Sequence, residues 1–245
     1  MSFEGQQAVI IGASAGIGES TARAFAAGGA GVVITGRSKE RLDAAAQRIG
    51  LPVQAAEVDA TDRAALDALF ATTGPVDHLV LAASPGAVGV GPLAGLDERA
   101  LRQAFDGKFF AHVQAIQAAL PQLRAGGSVT IISAVSARVG FAGTAALAGA
   151  NGALEAIVRP LAVELAPIRV NAVSPGIIDT AWWDGMPADQ RRAYFDAAAA
   201  ATPVGRVGRP EDVADAVVYL AGAGFVTGTV LECTGGAHLT VGALG

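Results

Sequence analysis

Seven short apolar runs, separated by longer stretches of helical pattern, constrain the fold of this chain more than any other feature. They are Ala8–Ile11, Gly31–Thr35, Val53–Val58, Leu79–Ala82, Ser128–Ile132, Ile168–Val173 and Gly228–Glu232. Each is aliphatic or β-branched without strict alternation, the pattern of a strand buried on both faces. Between them Ser38–Ile49, Asp62–Ala71, Asp97–Leu123 and Pro210–Ala221 read as helices. Such alternation predicts an α/β fold: a single doubly wound domain over residues 1–245, with a parallel sheet of about seven strands flanked by helices. A hydrophobic content of 52% suits a sheet covered on both sides. The one change of texture is Ala181–Arg209, a polar, Ala-rich insertion between the sixth run and the next helix.

Charge and cysteine content exclude several classes. A net charge of −5 gives no electrostatic case for nucleic acid or an anionic membrane. The single Cys233 cannot form an internal disulfide, which fits a reducing compartment. The polar start around Glu4 does not read as a secretory leader, and the uncharged stretch His78–Leu96 is broken by Pro85, Pro92 and its glycines. His78, His112 and His238 are scattered, so no metal constellation is expected. The reading is a cytoplasmic globule acting on a small molecule.

The first run ends in Gly12-Ala-Ser14-Ala15-Gly16-Ile17-Gly18, and a helical stretch follows. Glycine removes the Cβ that would keep a phosphate from the backbone, and a helix N-terminus offers free N–H groups and partial positive charge. This is a Rossmann-type nucleotide turn, spaced G-x-x-x-G-x-G. At the end of the second run stands Thr35-Gly36-Arg37-Ser38-Lys39, with no carboxylate to accept from a ribose 2′-hydroxyl. Arg37 can fork onto a 2′-phosphate and Ser38 adds a hydroxyl, so NADP(H) is favoured over NAD(H). The alternative is that Arg37 and Lys39 merely open a solvated helix.

The glycine spacing, Val58-Asp59-Ala60-Thr61-Asp62, Arg169-Val170-Asn171-Ala172-Val173-Ser174-Pro175-Gly176, Arg209–Ala214 and Thr234-Gly235-Gly236 together resemble the short-chain dehydrogenase/reductase family over nearly the whole chain. The resemblance implies an oxidoreductase that holds its nicotinamide cofactor with Gly12, Ser14, Ala15, Gly16, Ile17, Gly18, Arg37, Ser38, Asp59, Ala60, Ala83, Ser84, Lys108, Ser133, Asn151, Pro175, Gly176, Ile178 and Thr180. It also implies a homotetramer, or else a homodimer, and a substrate lid around residues 181–209.

The same resemblance exposes a departure. Aligned on the helix through Ala153–Leu165, the family's Tyr-x-x-x-Lys pair falls on Leu147 and Asn151, and its serine falls on Ala134. Residues Gly143–Gly152 contain neither tyrosine nor lysine, so no small slip of register restores the pair. Neither Leu147 nor Ala134 can donate a proton. The family's asparagine position carries Lys108, so lysine and asparagine have exchanged places, and Lys108 with Asn151 are the expected catalytic residues. His112 follows Lys108 by one helical turn, as a packing residue or a helper. Ser136, Trp182, Trp183 and Tyr194 are further candidates for the pocket. Two functions fit: reduction of a small carbonyl or imine with a rearranged tetrad, or a catalytically silent nucleotide-binding sensor or scaffold.

Overall fold

The structure, a computed structural model, describes residues 1–240, so the last five residues of the expected domain lie outside the described residues. Seven strands form one wholly parallel sheet: β1 (Gln7–Ile11), β2 (Gly31–Gly36), β3 (Gln54–Glu57), β4 (Val76–Leu81), β5 (Leu123–Ile132), β6 (Arg169–Pro175) and β7 (Val230–Cys233). Their spatial order is β3-β2-β1-β4-β5-β6-β7, the expected doubly wound arrangement.

Alternation along the strands supplies two cores. Val9, Ile11, Leu79, Leu81, Val129 and Ile131 face α3 (Arg63–Thr73), α5 (Ala111–Ala119) and α6 (Ala145–Glu164). Ile10, Ile34, Val80, Ile132 and Val173 face α1 (Gly16–Ala27), α2 (Lys39–Ile49) and α8 (Pro210–Gly222). Period-two side-chain direction makes the central strands serve both layers, whereas the edge strand β3, Gln-Ala-Ala-Glu, is largely exposed and departs from the expected burial on both faces.

Local signals set the helix ends. Ser38 caps α2 by accepting from the Arg41 N–H, and Gly50 closes that helix at φ 68°. Asp62 caps α3 by accepting from the N–H groups of Ala64 and Ala65. Buried Arg169 donates to the carbonyls of Leu220 and Ala221, both at 2.6 Å, and so ties the C-terminal end of α8 to β6.

The expected helix Asp97–Leu123 is corrected in two ways. It divides into α4 (Glu98–Phe105), a π-helical turn over Asp106–Phe110, and α5. Leu123 belongs instead to β5, where it lies opposite Val76. Residues 181–209 hold a short helical turn, Ala181–Trp183, and a helix, α7 (Ala188–Ala201).

Candidate active site

α1 leaves β1 toward one face of the sheet, whereas the chain after β4 leads to helices on the other. A crevice therefore opens beyond the C-terminal ends of these two neighbouring strands. It is a groove of about 400 Å³ whose floor is the Gly12–Gly18 turn. Gly12 takes φ 89°, and a Cβ there would lie 2.6 Å from the Ala83 backbone. A Cβ at Gly18 would stand 2.2 Å from the Gly12 carbonyl oxygen, so glycine is required for the turn to close on its own helix. No side chain caps the N-terminus of α1, which leaves its first N–H groups for an anion. Ser14, Ala15, Gly16 and Ile17 border the groove, and Thr180 lies over Gly16, its Cγ2 3.3 Å from where a Cβ would be.

At one end the groove is edged by Arg37, Ser38, Asp59 and Ala60. Lys39 is paired with Asp43 at 2.9 Å and points its charge along α2. Arg37 and Arg41 thus supply the guanidinium groups at this edge. Asp59 uses Oδ1 to accept from the Thr61 amide and hydroxyl, at 2.9 and 2.8 Å, which fixes the turn after β3.

At the other end Ala83 and Ser84 form the wall. Lys108 lies in the π-helical turn, buried, with Nζ donating to the Ala83 carbonyl at 3.3 Å. His112, also buried, donates from Nε2 to the same oxygen at 2.9 Å. A carbonyl only accepts, so the proton of His112 sits on Nε2 and Nδ1 is left bare and unpartnered. Burial holds the Lys108 ammonium down to about 8. Burial first, and then the Lys108 charge, drives His112 well below its ordinary range, against the opposing bond to Ala83. His112 is therefore a neutral imidazole beside a readily deprotonated amine.

Asn151 is buried on α6, and its Nδ2 donates to the Leu147 carbonyl at 2.9 Å and the Ser136 hydroxyl at 3.4 Å. Its Oδ1 has no partner. Lys108 and Asn151 share no hydrogen bond among the described residues. Ser133 is turned away from the groove, because its hydroxyl donates to Glu155 Oε1 at 2.8 Å. Strand alternation puts Ser133 and Ala134 on opposite sides. Pro175 and Gly176 end β6 behind the groove, with Gly176 packed on Thr234. Ile178 instead lines a smaller cavity of about 140 Å³ with Thr202, Val204 and Cys233.

Several bordering residues were absent from the sequence reading of the site: Thr35, Arg41, Thr61, Pro85, Gly86, Gly107 and Ala111. Gly107 had a legible signal. A glycine inside a helical stretch costs about 1 kcal/mol relative to alanine, so it marks a close approach. Here a Cβ would meet the Pro85 ring at 2.7 Å.

Comparison with known proteins agrees with this architecture. A family model described as enoyl-(acyl carrier protein) reductase matches residues 12–238. The chain is 35% identical to a short-chain dehydrogenase/reductase, ATR9, of Stachybotrys chlorohalonatus, over 97% of this chain and 98% of that protein. Among solved structures it resembles a short chain dehydrogenase/reductase family protein, with a TM-score of 0.86 and 33% identity over 98% of this chain and 100% of the other. It also resembles a small-chain dehydrogenase solved in complex with NADPH, with a TM-score of 0.81 and 32% identity over 96% and 99% of the two chains. On its fold, its groove and these matches, the chain belongs to the short-chain dehydrogenase/reductase family.

Proposed function

We propose that the chain is a cytoplasmic NADPH-dependent reductase of a small carbonyl or imine, working as one domain over residues 1–245 with 181–209 as its substrate lid. The observation that carries this reading is the make-up of the groove. A glycine turn and uncapped helix end lie along its floor, Arg37 and Ser38 edge one end, and a buried ammonium stands behind the Ala83 wall at the other. These residues fit a dinucleotide with an extra phosphate: the α1 N-terminus takes the bridging phosphates and Arg37 takes the 2′-phosphate. The relative solved with NADPH supports the choice of cofactor.

A bound nicotinamide supplies hydride to the substrate carbon. The protein's part is to hold the partners and deliver a proton to the oxygen or nitrogen that gains charge. With Ala134 and Leu147 at the family's serine and tyrosine positions, Lys108 Nζ is the group assigned to hold that proton. Its lowered pKa makes the ammonium a better acid than an exposed lysine, and burial excludes competing water. His112 keeps the Ala83 carbonyl fixed, so Lys108 can leave that contact without orphaning it. Asn151 keeps its Oδ1 free of any partner among the described residues.

The test is calorimetric titration with NADPH and NADH, followed by NADPH oxidation with a panel of ketones and cyclic imines. Tight NADPH binding and turnover that Lys108→Met abolishes is the expected result. Tight binding with no turnover on any carbonyl or imine would support the second reading, a silent nucleotide-binding relative, which the loss of hydroxyls at 134 and 147 favours. Absence of nucleotide binding would refute both.

A further inference from the structure

Trp182 borders the groove, as do Pro85, Gly86 and Gly107, and it is 38% exposed. Its ring is held in place from behind. Trp183 meets it edge-on, with centroids 4.5 Å apart and planes at 73°. Trp183 is itself anchored, donating from Nε1 to the Ile178 carbonyl at 2.9 Å. Tyr194 and Phe195 of α7 pack on Trp183 at 5.1 and 5.7 Å, and Arg191 lies over the Phe195 ring. An exposed tryptophan braced by an aromatic stack presents a fixed, flat surface rather than a mobile one.

The loop that leads away from Pro85 at the groove wall, and the segment it meets, carry no charge to receive an anion. Pro85–Leu96 and Val139–Leu154 contain no charged residue, and they meet where the Gly91 amide donates to the Gly143 carbonyl at 2.8 Å. Two arginines of the adjoining segments are already neutralised. Arg191 binds Asp179 and Asp184, and Arg138 binds Glu155 and Glu232. Lys108 bonds to a carbonyl and has no carboxylate partner among the described residues, and the reductase reading assigns it to the reacting oxygen.

We propose that Trp182 is the substrate-selecting wall of this groove, and that the substrate it selects is an uncharged carbonyl compound bearing a ring, stacked flat on the indole. The proposal rests on the reductase reading for the chemistry, but the surface and its uncharged walls stand apart from it.

The experiment compares NADPH-dependent reduction of 1-tetralone, 2-octanone and 2-oxooctanoate by the full chain. The expected order is 1-tetralone at least tenfold above 2-octanone in kcat/KM, and 2-oxooctanoate lowest. Trp182→Ala should bring the ratio of 1-tetralone to 2-octanone down to within twofold, mainly through KM, whereas Trp182→Phe keeps it within threefold of the native value. A tenfold change in that ratio corresponds to about 1.4 kcal/mol of differential binding. A second arm needs no turnover: with two tryptophans in the chain, Trp183→Phe leaves Trp182 as the sole emitter. Its fluorescence should change saturably on adding 1-tetralol in the presence of NADP+. Equal efficiency on ring and chain ketones, or a Trp182→Ala effect as large on NADPH affinity as on 1-tetralone, would overturn the proposal and leave the reductase reading intact. The reverse pattern, saturable binding of 1-tetralol with no reduction of any ketone, would sustain the wall and sink the reductase.

Discussion

Lys108→Met should stabilise the protein while it removes turnover. The Lys108 ammonium is buried against a single carbonyl, and burial lowers it from 10.5 to about 8. Each pH unit of displacement is worth about 1.4 kcal/mol, so holding this charge costs the folded state about 3 kcal/mol at pH 7. The sign follows from proton counts. Between about 8 and 10.5 the unfolded chain binds more protons at this site than the folded one, so the penalty is complete below pH 8 and fades as pH rises. At pH 9.5 it is down to about 1 kcal/mol. Methionine has a similar stem and no charge, and the Ala83 carbonyl it deserts keeps its bond from His112. The lost Lys108 bond offsets about 1 kcal/mol. The net expectation is a gain of about 2 kcal/mol at pH 7 that shrinks toward zero by pH 9.5. Urea denaturation of both proteins at the two pH values measures it. A variant destabilised at pH 7, or one whose difference from the native protein does not change with pH, would refute the argument that Lys108 is a buried, strained cation. Turnover on the best carbonyl should fall at least a hundredfold, in line with the general-acid range; a smaller loss moves the proton donor elsewhere.

Arg37→Ala should weaken NADPH at least tenfold by calorimetry and leave NADH within twofold, and equal losses for the two would remove the 2′-phosphate assignment. Gly12→Ala should abolish nucleotide binding and lower the melting temperature, since its Cβ would sit 2.6 Å from the Ala83 backbone at a φ of 89°; an unchanged thermal scan would contradict the closeness of the two loops. His78, buried between Ser128 and Gln6, has a pKa lowered to about 4, chiefly by burial. Its depressed folded value means stability is lost as pH falls from about 6.5 toward 4, and His78→Phe should flatten that limb of an acid-unfolding curve. A homotetramer is expected by light scattering at micromolar concentration, with a dimer as the second choice; a monomer would count against the assembly.

How far the molecule was legible depends on whether a feature is local. Ser38 and Asp62 announce their helices because a cap acts on backbone two or three residues away, and the seven apolar runs announce a sheet because burial on both faces leaves no alternation to mistake. The glycine turn was readable for the same reason: Gly12 and Gly18 are dictated by contacts within a few residues and by the neighbouring strand. The helix through Asp97–Leu123 was misjudged because its composition is helical throughout. The break is made by tertiary contacts, namely Pro85 against Gly107 and the pairing of Leu123 with Val76. Side-chain direction at the site was the least legible. Ser133 and Ala134 are adjacent in sequence, yet only the pleat decides which one faces the groove, and Glu155, a residue of α6, claims the Ser133 hydroxyl. The exchange of lysine and asparagine shows the same limit. The resemblance makes Lys108 and Asn151 a catalytic pair, but the bonds each makes go to Ala83 in one case and to Leu147 and Ser136 in the other. What joins them is a shared deficit: an ammonium with one acceptor, and an amide oxygen with no donor. Buried polar groups are rarely left so without a partner that completes them. Lys108 Nζ and Asn151 Oδ1 are thus buried polar groups with bonding capacity to spare at the two positions assigned to the chemistry.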